Sequence, residues 1–168
     1  YGTPELGLKY AAKIDVAIAQ LEQRGQGSAA WLCDLVFDSN GTILPPPGYL
    51  EYTARAIRAT GGLFIADEVQ SGFYRTGEQM WGFAYADVVP DIVTLGKPIG
   101  DGHPIGAVIT TPSIAAKFAA KFSYFNTFGG NPVSAAVGMA VLDVLEREGV
   151  QQNVIAAGKE LASGLARL

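Results

Sequence analysis

Sulfur and imidazole are scarce in this 168-residue chain, which has one cysteine, Cys33, two methionines and one histidine, His103. A lone cysteine cannot build an internal disulfide framework. With a single histidine beside it, it cannot complete a structural zinc site either, and no metal is expected. Basic charge is not in excess: 12 Lys and Arg stand against 16 Asp and Glu, a net charge of -4. Neither nucleic acid nor an anionic membrane surface is therefore expected as the main partner. No run approaches the roughly 18 apolar residues of a membrane span. The opening YGTPELGLKY lacks the basic start and apolar stretch of a secretory signal. From these absences a reducing, cytoplasmic location is the expectation. Hydrophobic residues make up 49% of the chain and charged ones 17%, which excludes intrinsic disorder. Glycine is plentiful, at 21 residues, and predicts tight turns and close backbone approaches.

Apolar spacing predicts an alternation of helices and short strands. Thr3-Pro4-Glu5 reads as a helix start, and Tyr10, Ile14, Ala17 and Leu21 continue it as one helical stripe until Gly25. Ala29–Leu35 is a short apolar run bounded by turn residues, and a turn at Asp38–Gly41 and the connector Pro45–Gly48 follow. A helix over Tyr49–Ala59 ends at Gly61-Gly62. The apolar runs Leu63–Ala66, Ile92–Leu95 and Val108–Thr111 are further strands. Ser113–Lys121 reads as a helix, and Asn131-Pro132 opens a longer one through Glu148 that is apolar on nearly every face and so expected to be buried. Gly149 ends it, and Val154, Ala157, Leu161, Leu165 and Leu168 stripe a last amphipathic helix. Buried strands alternating with helices predict an α/β fold, a mostly parallel sheet flanked by helices. No internal repeat or interdomain linker is visible.

In such sheets, ligands bind beyond the carboxyl ends of the strands. Two strands here run into ionisable residues, one into Asp67-Glu68 and the other into Gly96-Lys97. A polar residue in that place is equally at home as a cap or a solvated loop residue, but two within thirty residues favour function. The nucleotide motifs fail. Gly96-Lys97 lacks the remainder of a P-loop, and Gly100-Asp101-Gly102-His103-Pro104-Ile105-Gly106 misses the dinucleotide fingerprint by one residue. No Gly-x-Ser-x-Gly elbow supports a serine hydrolase, so His103 reads as a loop residue bonded to backbone. What remains is a lysine able to form a Schiff base with a carbonyl cofactor, and an acid. Pyridoxal phosphate (PLP) needs both, the acid standing against its pyridine nitrogen.

Two blocks carry a family resemblance. LFIADEVQSGFYRTG (Leu63–Gly77) followed by PDIVTLGKPIGDGHP (Pro90–Pro104) resembles the signature of class III PLP-dependent aminotransferases. FNTFGGNPVSAA (Phe125–Ala136) and the PPPGYL stretch (Pro45–Leu50) are similar to its neighbouring blocks. The wording is most like the branch containing alanine–glyoxylate aminotransferase 2-like proteins, which includes phospholyases acting on phosphoethanolamine or phosphohydroxylysine. The resemblance implies a fold-type I large domain and the cofactor PLP. Lys97 would be the Schiff-base lysine and proton shuttle, and Asp67 would pair with the pyridinium nitrogen. Val69 would pack on the ring face and Gln70 would hydrogen-bond near the ring hydroxyl. Thr127 would reach the cofactor phosphate, usually that of the opposite subunit of a homodimer. Glu68 reads as a member of a structural ion pair. Gly96, Gly100, Gly102, Gly129 and Gly130 fall in loops that would line the cofactor. Two departures stand out. Asp34-Leu35 occupies the place of a common Glu-Pro, and Tyr74 that of a common glycine.

The same resemblance bears on domain organisation and activity. Residues 1–149 would be part of the PLP-binding large domain, and 150–168 a helix leading toward a small C-terminal domain. The start at Tyr1 and the end at Leu168 are expected of a piece of a longer enzyme, since nothing like the family's upstream phosphate-cradling loop is present. Amino transfer from an amino donor to an oxo acid is the leading expectation. Phosphate elimination from a phosphorylated amine is the alternative, and a catalytically inert fold fragment the third.

Overall fold

The computed structural model describes residues 3–168; Tyr1, whose position entered the reading above, lies outside them. Four strands form one sheet: β1 (Ala30–Asp34), β2 (Leu63–Asp67), β3 (Ile92–Leu95) and β4 (Ala107–Thr110), hydrogen-bonded in that order. The first three run parallel and β4 is antiparallel to β3. The sheet is thus mostly parallel, as expected. Its register sets Asp34 beside Asp67, and Asp67 beside Thr94, so the carboxyl ends of β1, β2 and β3 share one edge.

Helix α3 (Tyr49–Ala59) covers one face. It buries Leu50, Thr53, Ala54 and Ile57, spaced as one helical stripe. Leu50 and Ala54 meet Cys33, Leu35, Phe64, Ala66 and Val88 in the core, where Trp31 stacks on Phe64 with ring centroids 4.8 Å apart. The alternate side chains of β2 on the other face, Leu63 and Ile65, are half-buried. Leu32 of β1 is 61% exposed, and the consecutive Val108 and Ile109 of β4, which point to opposite faces, are both exposed.

The N-terminal helix divides in two. α1 (Pro4–Ala11) and α2 (Lys13–Gln23) meet at Ala12, and both pack on α3. The partly covered stripe of α2 is Ile14, Ile18 and Leu21, whereas Tyr10 and Ala17 face solvent. Asp91 joins α3 to the sheet, pairing with Arg58 at 3.0 Å and accepting from the Phe64 amide at 2.8 Å.

After β4 come α4 (Pro112–Lys121), α5 (Pro132–Arg147) and α6 (Val150–Leu165). Thr111 and Asn131 cap α4 and α5 with their side chains, and proline follows each cap. The expectation that α5 is buried is not met. It has no buried residue, and Val133, Met139, Leu142 and Val144 are exposed. Hydrophobicity on every face records that the helix could be covered; within this chain it packs on α6 and passes the Ile99 and Ile105 loop at Gly138. Leu161 and Leu165 of α6 are exposed too.

Candidate active site

The shared edge of β1, β2 and β3 brings three of the sequence-predicted residues together. Asp67 ends β2, half-buried, and its Oδ1 accepts from the Val69 amide at 3.1 Å and the Thr94 hydroxyl at 3.3 Å. Its Oδ2 accepts no hydrogen bond from any described residue. The side chain of Val69 lies against Gly96, where an added Cβ would stand 3.4 Å from Val69 Cγ2. Two residues after β3, Lys97 is exposed, and its side chain makes no ion pair or hydrogen bond among the described residues. Its backbone has φ +33°, a left-handed conformation that disfavours a side chain with a Cβ. Strain of this kind, about 1–3 kcal/mol, persists where the surroundings over-determine the residue, and it clusters at functional sites.

Glu68 organises what lies around Asp67. It is fully buried, and the expected ion pair is not found: no cation among the described residues reaches it. Its Oε2 accepts from the Ser71 hydroxyl at 2.5 Å and the Gly82 amide at 2.8 Å, and Oε1 accepts from the Phe83 amide at 2.9 Å. A buried carboxylate satisfied by three donors fastens the 71–83 loop to the end of β2. Glycine is required at 82, since a Cβ there would come within 2.7 Å of Ser71 Cβ and Oγ.

Gln70 donates from Nε2 to Asp38 Oδ2 at 2.7 Å. Asp38 is held in turn by Asp34, whose carboxylate accepts the Val36 amide at 3.0 Å and the Asp38 amide at 2.6 Å. Asp34 therefore works as a backbone cap at the end of β1. A cavity of about 910 Å³ adjoins Gln70, lined also by Asp38, Arg75, Thr76, Tyr85 and Lys159. Asp67, Val69 and Lys97 lie outside its wall.

Cys33 is buried beneath this edge, and burial pushes its thiol up to about 12, helped by the negative charges of Asp34 and Asp67. It is a neutral packing group. The His103 amide donates to the Gly100 carbonyl at 2.9 Å, a loop backbone bond as expected, while its ring Nε2 bonds to the Ser134 hydroxyl at 2.9 Å, tying the glycine-rich loop to the first turn of α5. Thr127 is exposed in the loop before α5 and makes no hydrogen bond among the described residues. Gly129 and Gly130 lie in the same exposed loop. Sequence reasoning missed Thr94 and Asp38. Thr94 had a signal, sitting one register step across from Asp67; Asp38 had only its turn.

Solved structures carry this arrangement as part of much longer chains. A phospholyase from Arthrobacter, solved in complex with phosphoethanolamine, superposes on 98% of this chain with TM-score 0.92 at 45% identity, over 39% of its own length. An (S)-enantioselective omega-transaminase from Thermomicrobium roseum matches 96% of the chain with TM-score 0.82 at 34% identity, over 37% of its own length. The fold is therefore that of the fold-type I PLP-dependent transaminases. Closer definition comes from sequence: the family model "Aminotransferase class-III" matches residues 8–168, and the chain belongs to that family. An alanine–glyoxylate aminotransferase 2-like protein of Drosophila melanogaster is 46% identical over 100% of this chain, which spans 34% of that relative. The chain thus covers about a third of the length of the relative it matches.

Proposed function

We propose that the protein to which this chain belongs is a PLP-dependent class III aminotransferase that moves an amino group from an amino donor to an oxo acid. Residues 1–149 would form part of its cofactor-binding large domain, and residues 150–168 would lead toward a small domain. The observation that carries the reading is the state of Asp67. One carboxylate oxygen is tied to Val69 and Thr94, and the other accepts from no described residue, at a strand-end edge that it shares with the Gly96-Lys97 turn.

These residues fit PLP. A free carboxylate oxygen suits a protonated ring nitrogen, Val69 offers an apolar surface, and the unpaired Lys97 Nζ is available to a carbonyl. When bound, PLP supplies an electron sink that acidifies the Cα–H of an amino substrate. Lys97 Nζ then takes that proton and returns it. Asp67 Oδ2 holds the proton on the ring nitrogen, and Asp67 Oδ1 keeps the carboxylate aimed through Val69 and Thr94. Gln70 contributes a hydrogen bond at the ring hydroxyl, and Thr127 binds the cofactor phosphate of a second subunit in a homodimer. A cytoplasmic location belongs to the same proposal, and cell fractionation tests it.

A second reading has its own support: the neighbour solved with phosphoethanolamine is a phospholyase, at 45% identity. In that reading the same residues bind the cofactor, but the substrate loses phosphate. The full-length enzyme separates the two. Formation of an amino acid from an oxo acid, in step with loss of the amino donor, supports amino transfer. Release of inorganic phosphate from phosphoethanolamine without any oxo acid overturns it in favour of elimination.

A further inference from the structure

Gln70 is a primary amide, with donors at one end and an acceptor at the other. Its neighbours decide which way it faces. The neighbour here is a carboxylate, Asp38, which as an anion accepts only. The 2.7 Å contact therefore fixes Nε2 toward Asp38 Oδ2 and leaves Oε1 with no partner among the described residues. Asp38 is itself held by backbone hydrogen bonds. Its amide is held by Asp34 Oδ2 at 2.6 Å, it opens the short 3₁₀ turn Asp38–Asn40, and the Thr42 amide closes that turn on the Phe37 carbonyl at 3.1 Å. Asp34 stands in register beside Asp67. A chain of contacts thus runs from the end of β1, through Asp34 and Asp38, to the side chain three residues beyond Asp67.

We infer that Asp38 is a positioning residue for the cofactor site: its carboxylate holds the Gln70 amide in one orientation, Nε2 toward Asp38 and Oε1 left for the bound cofactor. This rests on the reading of Gln70 as a cofactor contact. Asp38 makes no contact with the cofactor itself and acts through Gln70. Without it, the amide of Gln70 turns about its last torsion and presents either end, so the bound state loses a pre-set hydrogen bond.

The test is a double-mutant cycle on the full-length enzyme, read as the dissociation constant for PLP by absorbance titration, with thermal unfolding of the cofactor-free protein alongside. Asp38→Ala and Gln70→Ala are each expected to weaken PLP about three- to tenfold, the worth of one hydrogen bond. The double variant is expected to be no weaker than Gln70→Ala alone, because Asp38 has nothing left to position. Asp38→Asn keeps an acceptor oxygen at the same place, and is expected to bind within about twofold of the parent. Multiplicative losses in the double variant would overturn the inference. So would a PLP constant unchanged in Asp38→Ala while the unfolding temperature falls, since a purely structural role moves only the latter. If the parent enzyme does not bind PLP, the proposed function falls and this inference with it. If the parent binds tightly and Asp38→Ala binds equally, this inference alone is overturned.

Discussion

Replacing Glu68 by alanine removes a fully buried carboxylate and strands three donors, the Ser71 hydroxyl and the amides of Gly82 and Phe83. A buried donor left without a partner costs about 1–3 kcal/mol. Because these three share one acceptor, their losses do not add in full, and the expectation for Glu68→Ala is about 3–5 kcal/mol. Glu68→Gln is milder. One oxygen remains, but an NH₂ now faces an N–H donor, so about 1–3 kcal/mol is lost. Urea unfolding of the cofactor-free full-length enzyme measures the total. Hydrogen exchange of the peptide spanning Gly82 and Phe83 locates it, because that loop should lose protection before β1 or α3 does. A Glu68→Ala protein within about 0.5 kcal/mol of its parent, a difference ordinary for surface changes, would refute the reasoning. Unchanged exchange at Gly82 and Phe83 would refute it equally.

Two further outcomes follow from the same edge of the sheet. Gly82→Ala sets a methyl 2.7 Å from Ser71 and 2.8 Å from Leu35 Cβ, and should destabilise by about 1–3 kcal/mol in the same unfolding assay. Cys33, whose thiol is raised from an ordinary 9.0 to about 12, should resist iodoacetamide in the folded enzyme at pH 8 and react readily in urea, read by mass of its peptide. The folded value lies above the unfolded one, so this thiol's contribution to stability is whole below about pH 9 and fades as pH climbs toward 12.

The legible and illegible parts of this molecule divide by the range of the signal. Strands β2 and β3 announce themselves as apolar runs ending in charge, and the caps Thr3 and Asn131 each stand directly before a proline; all are local patterns. Asp67 and Lys97 were found because a parallel sheet gathers its carboxyl ends, which is a rule of topology. The partners of Glu68 were not found: two are backbone amides 14 and 15 residues away, and a backbone amide has no signature in sequence. Asp38 escaped likewise, since its amide donor Gln70 lies 32 residues on. Helix α5 misled for another reason. Periodicity reports that a face is apolar and says nothing of what covers it, so Val133 and Met139 stand exposed in this chain.

The central claim is that Lys97 carries PLP, and borohydride reduction of the full-length enzyme loaded with PLP tests it most directly. Peptide mass mapping should then find the reduced cofactor covalently bound to the peptide containing Lys97, and Lys97→Ala should carry none. An adduct on a different lysine, or an equal yield from Lys97→Ala, would contradict the account.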